Sequence, residues 1–142
     1  MKRIRKAVLA ILVNNKNKVL IGSSPRDGGY KFPQGGLEPN EDALCGIKRE
    51  LKEELDISIT DADILNIYTE KVSYSYPKEA KYIFDRQELF IVKIQYQQHM
   101  ILVPQDDEFD ELHWIHPNEL QNYNTYFRAK AYQKAIEICG LL

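Results

Sequence analysis

The chain has 142 residues, 44% hydrophobic and 28% charged, with a formal net charge of −2. These values suit a single soluble globular domain, residues 1–142, with one buried core, and exclude a disordered or fibrous chain. The near-neutral balance makes bulk attraction to nucleic acid weak, so contact with RNA needs a local basic patch. Cys45 and Cys139 are the only cysteines; they make no disulfide framework and read as free thiols in a reducing, cytoplasmic setting. No apolar run reaches membrane-spanning length. The basic, apolar N-terminus lacks a small-residue cleavage site and reads as a strand, not a signal peptide.

In chain order, Arg5 to Val13 is aliphatic and β-branched and predicts a buried strand. The turn Asn14-Asn15-Lys16-Asn17 separates it from a second strand, Lys18 to Ser23. A flexible loop, Pro25 to Gly29, leads to a short strand, Tyr30 to Phe32, and then to the turn Pro33-Gln34-Gly35-Gly36, whose glycines permit close backbone approach. A helix starts near Glu41. Beyond it the pattern predicts strands over Ile64–Tyr76, Leu89–Ile94 and Leu112–Ile115, the last placing Trp114 in the core. A charged connection, 78–86, and an acidic loop, 103–109, join them. Pro117 to Leu120 starts a short turn, and Asn124 or Thr125 caps a last helix carrying Phe127, Ala131, Ala135 and Ile138 at helical spacing. Strands faced by two helices predict an α/β fold, an α/β/α sandwich.

The helix near Glu41 carries the chemistry. Leu44, Ile47, Leu51 and Leu55 form an apolar stripe, while Glu50, Glu53 and Glu54 recur at i, i+3 and i+4. At about 100° per residue these carboxylates cluster on one face, turned roughly 120° from the stripe. Clustered like charges destabilise a helix, and a hard divalent cation, Mg²⁺ or Mn²⁺, would offset them. The competing interpretation is a solvated glutamate face paired with Lys48 and Lys52.

Gly35, five residues, Glu41, seven residues, then Arg49-Glu50-Leu51-Lys52-Glu53-Glu54 resembles the Nudix box of the Nudix hydrolases. One position departs: the family's second glycine is Asp56. That place follows the helix, where a left-handed residue is usual and Asp is tolerated. The surrounding chain is similar to bacterial RNA pyrophosphohydrolases and dinucleoside polyphosphate (Ap4A) hydrolases in Phe32-Pro33-Gln34-Gly35-Gly36, Tyr74-x-x-Pro77-Lys78, Gln87-x-x-Phe90 and Glu108-Phe109-Asp110 with Trp114. It departs from them at Glu88, Leu89 and Leu112.

The resemblance implies the Nudix fold, with a mixed sheet between helices, and hydrolysis of a nucleoside-diphosphate-linked substrate assisted by Mg²⁺ or Mn²⁺. Glu50, Glu53 and Glu54, with the carbonyl of Gly35 or Gly36, would hold the metal, and Glu108 would add a ligand or a base. Arg49 would orient the cluster and Glu41 would brace the loop. Arg5, Arg26, Lys31, Tyr74 and Arg128 would contact the substrate, and Tyr76 could hydrogen-bond phosphate or stack on a base. His99, His113 and His116 show no ligand spacing. The partner implied is a nucleotide, a dinucleoside polyphosphate or an RNA 5′ end, with no membrane. Three functions follow as candidates: an RNA 5′ pyrophosphohydrolase or Ap4A-type hydrolase, a housecleaning nucleoside triphosphate pyrophosphatase, and a non-catalytic nucleotide-binding module, against which the intact glutamate set argues.

Overall fold

Strand β1, Ile4–Val13, is apolar on both faces from Ala7 onward and is accordingly the centre of the sheet. In this computed structural model, which describes residues 3–79, 82–105 and 107–142, it pairs along its whole length with the parallel strand β6, Arg86–Gln95. Its other edge is divided. Near Val13 it meets β2, Val19–Ser23; at Ala7 to Leu9 it meets β4, Gln34–Gly36. Strand β5, Ile64–Ser75, lies antiparallel on β6 at the sheet's edge. Strands β3, Tyr30–Lys31, and β7, Glu111–Ile115, both flank β2. Residues 1 and 2, residues 80 and 81 of the charged connection, and residue 106 of the acidic loop lie outside the described residues.

Helix α1, Ala43–Leu55, covers one face of the sheet, burying Ile47, Leu51 and Leu55 against Val8, Ala10, Leu12 and Val92. Helix α2, Ala129–Ile138, covers the other, burying Ala131, Tyr132, Ala135 and Ile136 against Leu9, Ile11, Leu89 and Ile91. The α/β/α sandwich expected from the sequence is therefore present. Among the described residues, no helix is long and apolar enough to cross a membrane.

Several boundaries move. Helix α1 begins at Ala43, because Asp42 is its N-cap and accepts a hydrogen bond from the Cys45 N–H at 2.8 Å. Gln34-Gly35-Gly36 is strand β4 and not merely a turn: its pairing partner is β1, a contact with no local signature. Arg128 closes a 3₁₀ turn, Tyr126–Arg128, ahead of α2. Trp114 is half-buried, edge-on to Tyr96 at 4.9 Å, at the rim of the α1-side core and not within it.

Candidate active site

The acidic side of the site grows from α1. Glu50, Glu53 and Glu54 do not share one environment. Glu54 falls about 20° from Ile47 around the helix, at the border of the apolar stripe, and is only 1% exposed. Glu50 is buried beside it, whereas the Glu53 side chain is 59% exposed. The sequence expectation of one carboxylate face well clear of the stripe is corrected accordingly. Asp56 ends the helix at φ 54°, ψ 37°, left-handed as expected, and its N–H caps the carbonyls of Leu51 and Lys52.

Gly35 and Gly36 face opposite sides of β4, in register with Val8 and Ala7. A Cβ on Gly35 would collide with the Glu50 carboxylate, and one on Gly36 with the Arg5 guanidinium. The two glycines thus let an acid and a base press onto one strand from its two faces.

Arg49 organises the acids. It contacts Glu41 at 2.7 Å, Glu50 at 2.9 Å, Glu53 at 3.4 Å and Glu38 at 3.6 Å, and it donates to the Gly36 carbonyl at 2.8 Å. Glu41 accepts two of its N–H groups and the Glu38 N–H. These bonds, the Arg49 pair foremost, pull the Glu41 carboxyl down to about 2. Burial pushes the Glu50 carboxyl up and the Glu54 carboxyl well up, despite the pull of Arg49 on Glu50 and of Lys31 on Glu54.

The basic side comes from β1, β3 and two loops. Arg5, Arg26, Lys31, Tyr74 and Arg128 line one cleft of about 540 Å³ with Gly35, Glu50, Glu53 and Glu108. Sites scattered from residue 5 to residue 128 therefore meet in one place; Glu54 lies behind the wall. Several of these groups are already engaged. Arg26 pairs with Glu108 at 3.0 Å, joining the loop before β3 to the loop before β7. Lys31 pairs with Asp27 at 2.7 Å. Burial would raise the Asp27 carboxyl, but the Lys31 and Arg26 cations outweigh it and hold it low. Arg128 is 3% exposed and donates to the carbonyls of Gly28, Asp27 and Thr125. Tyr74 is buried, with its hydroxyl accepting from Gln34 at 2.7 Å and Gln87 at 2.6 Å, and burial pushes it up to about 12.

Sequence reading assigned no role to Asp27, Gln87, Tyr82 or Phe127, which line the same cleft. Gln87 carried a usable signal: it precedes Leu89 and Ile91 at the strand period, so it is a polar side chain on a face that is otherwise apolar.

Among the described residues, no three Asp, Glu, His or Cys side chains converge as a metal cage. Glu53 is turned out toward Arg49, and Glu108 is held by Arg26. The donor chemistry nevertheless fits a hard cation. Two buried carboxylates adjoin each other, the Glu54 Oε2 has no hydrogen-bond partner among the described residues, and the absence of a Cβ at Gly35 lets the Glu50 carboxylate lie against the β4 backbone.

Residues 3–135 match the family model described as NUDIX domain. The chain is 33% identical over 146 residues to an RNA pyrophosphohydrolase of Nitratiruptor sp., covering 96% of this chain and 93% of that one. It is 29% identical over 136 residues to an RNA pyrophosphohydrolase of Legionella pneumophila, covering 89% and 78%. The E. coli dihydroneopterin triphosphate pyrophosphohydrolase shares the fold at a TM-score of 0.76 and 14% identity, covering 96% of this chain and 97% of the other. The C. elegans Ap4A hydrolase does so at 0.65 and 16%, covering 96% and 98%. Nudix hydrolases generally need divalent metal ions. With the family model spanning nearly the whole chain and the box running from Gly35 to Glu54, this chain belongs to the Nudix hydrolase family.

Proposed function

We propose that this chain is a Mg²⁺- or Mn²⁺-dependent pyrophosphohydrolase, a single cytoplasmic domain acting on the 5′-triphosphate end of RNA. The observation that carries the reading is the cleft itself, whose lining brings Glu50, Glu53 and Glu108 together with Arg5, Arg26, Lys31 and Arg128. Carboxylates for a cation in the same cleft as cationic donors for an anion suit an anhydride substrate. The substrate class comes from the RNA pyrophosphohydrolases to which the chain is similar. Two unpaired thiols agree with a reducing compartment.

In this reading Glu50, Glu53 and Glu54, with the Gly35 carbonyl, would hold the metal, and Glu108 would join them if released from Arg26. When bound, the metal would supply charge neutralisation and a lowered water pKa. Arg49 keeps Glu50 and Glu53 aimed. One box glutamate takes the proton as the water oxygen bonds to the α-phosphorus, the bond from that phosphorus to the α–β bridging oxygen breaks, and pyrophosphate leaves a 5′-monophosphate end. Arg5 and Arg26 bind phosphate, with Lys31 behind them, and Arg128 anchors the loop carrying Arg26. The Tyr74 oxygen receives two amide donors, so its own proton is available to a phosphate oxygen.

The test is a product assay with Mg²⁺ on triphosphorylated RNA, Ap4A and the free nucleoside triphosphates. Pyrophosphate and monophosphorylated RNA are expected. Intact RNA ends beside rapid turnover of free triphosphates would show a housecleaning enzyme, and preferential splitting of Ap4A would show a dinucleoside polyphosphate hydrolase.

A further inference from the structure

Gln87 is 2% exposed, on the inner strand β6 between β1 and β5, in a row with Leu89 and Ile91. A leucine would fill the same strand face without desolvating an amide, and a buried amide is tolerated only when its hydrogen bonds are made. Register places Gln87 between two residues of the cleft. Arg5 on β1 is its partner on one side and Tyr74 on β5 its partner on the other. The contacts follow that row. The Gln87 Oε1 accepts from Arg5 at 3.2 Å and from the Tyr76 hydroxyl at 2.9 Å, and its Nε2 donates to the Tyr74 oxygen at 2.6 Å. The orientation of the amide is forced, because a guanidinium has no acceptor and the oxygen must face Arg5.

The row continues on both sides. Tyr74 also receives the Gln34 amide, Gln34 is in turn held by the Tyr132 hydroxyl of α2, and the Gln34 main-chain N–H reaches Glu54 at 3.3 Å. On the other side Arg5 is pressed onto Gly36, and the Tyr76 ring is stacked against Tyr82 with centroids 4.5 Å apart. A buried amide thus ties together the side chains that face the cleft from three neighbouring strands.

We infer that Gln87 is a positioning residue: it fixes the Arg5 guanidinium and the Tyr76 ring in the cleft, and so sets substrate affinity without touching the substrate. The inference rests on the proposal that the cleft takes a nucleotide triphosphate end. An arginine on a long, flexible stem loses side-chain entropy when it binds an anion. A partner behind it meets that cost at folding, so the bound geometry is preformed. Gln87 acts through Arg5 and Tyr76, and its removal should raise KM and leave kcat nearly unchanged, since the glutamates across β4 stay in place.

The experiment is a double-mutant cycle on the full chain. Calorimetry in EDTA, where metal-assisted turnover is suppressed, measures the Kd of a 5′-triphosphorylated dinucleotide for the unmodified chain, Arg5→Ala, Gln87→Met and the double variant. Each single change should weaken binding about tenfold, the scale of one charged hydrogen bond, and the double variant should be no weaker than Arg5→Ala within about threefold. With Mg²⁺, Gln87→Met should raise KM while kcat stays within about twofold, a split that general loosening of the fold would not give. If Gln87→Met does not fold, Gln87→Asn, one methylene shorter, keeps a buried amide but withdraws it from Arg5 and takes its place in the cycle. Unchanged affinity in a folded Gln87 variant, or losses that simply add, overturns the positioning role. Binding without cleavage of triphosphate ends overturns the proposed reaction and leaves the cycle readable; absence of binding by the unmodified chain both in EDTA and with Mg²⁺ overturns both.

Discussion

Arg49 touches four carboxylates and a carbonyl, yet only part of that network concerns fold stability. Its strongest partner is Glu41, whose folded-state carboxyl lies at about 2 against an ordinary 4.5. A lowered carboxyl stabilises the fold above its unfolded value and loses that contribution as pH falls through the folded one. Urea titrations should therefore show Glu41→Gln less stable than the unmodified chain above about pH 5, with the difference shrinking toward pH 2. A difference that stayed constant with pH would assign Glu41 a role independent of its charge. Glu50 and Glu54 have the opposite sign. Their carboxyls are raised by burial, so the fold loses stability as pH rises and they ionise. In EDTA, Tm should fall between pH 5 and pH 8, and saturating Mg²⁺ should restore more of it at pH 8 than at pH 5. Equal restoration at both pH values would show that the ion binds away from these carboxylates. Glu53 separates stability from chemistry. It is exposed, so Glu53→Gln should shift stability by less than about 0.5 kcal/mol. As a metal ligand it should nevertheless cost activity by about 10²-fold or more. Near-normal turnover by the folded variant would remove Glu53 from the metal site.

Helix α1 shows how one element serves both packing and chemistry. Its ends are set by Asp42 at the N-cap and Asp56 in the left-handed position. Asp56 bears strain that glycine would not, and its ion pair with Lys52 at 2.8 Å is exposed and worth little. Asp56→Gly should accordingly leave stability unchanged or raise it by up to about 1 kcal/mol. A fall of the urea midpoint would show that the Lys52 pair outweighs the strain. Asp56 was legible from its place after the last apolar residue of the stripe, as were the strands of the β1 and β6 pair from their aliphatic runs. Strand β4 was not: Gln34-Gly35-Gly36 has no strand propensity and pairs only because β1 presents Ala7 to Leu9 across a distant turn. Nor was the split among the glutamates legible. A pattern of i, i+3, i+4 places side chains around a helix, but which of them is buried depends on where the sheet edge lies. Residues such as Asp27 and Gln87 escaped for the same reason, since their roles exist only through contacts with Lys31 and Arg5 that form in the folded chain.

The chain as a whole carries a net charge of −2, yet among the described residues four cationic side chains border its cleft. They do not weigh equally in substrate binding. Arg128 is buried and spends its donors on three backbone carbonyls, so Arg128→Ala should chiefly destabilise the loop around Asp27 and Gly28. Lys31 is tied to Asp27. Arg26 is exposed but paired with Glu108. Among the described residues Arg5 pairs with no carboxylate and donates to the neutral Gln87, which leaves its charge uncompensated toward the cleft. Electrostatic affinity for a polyanion should therefore fall mainly on Arg5. Arg5→Ala should raise KM for triphosphorylated RNA by roughly 10-fold or more, with little change in kcat, and should reduce the slope of log affinity against log salt by about 0.7. A free nucleoside triphosphate, which reaches less of the cleft mouth, should lose less. Measured with Mg²⁺ saturating at each salt concentration, an equal loss for both substrates would place Arg5 on the phosphates alone. An unchanged salt slope would mean that the charge of Arg5 plays no part in binding, and would leave Arg26 as the next cation to test.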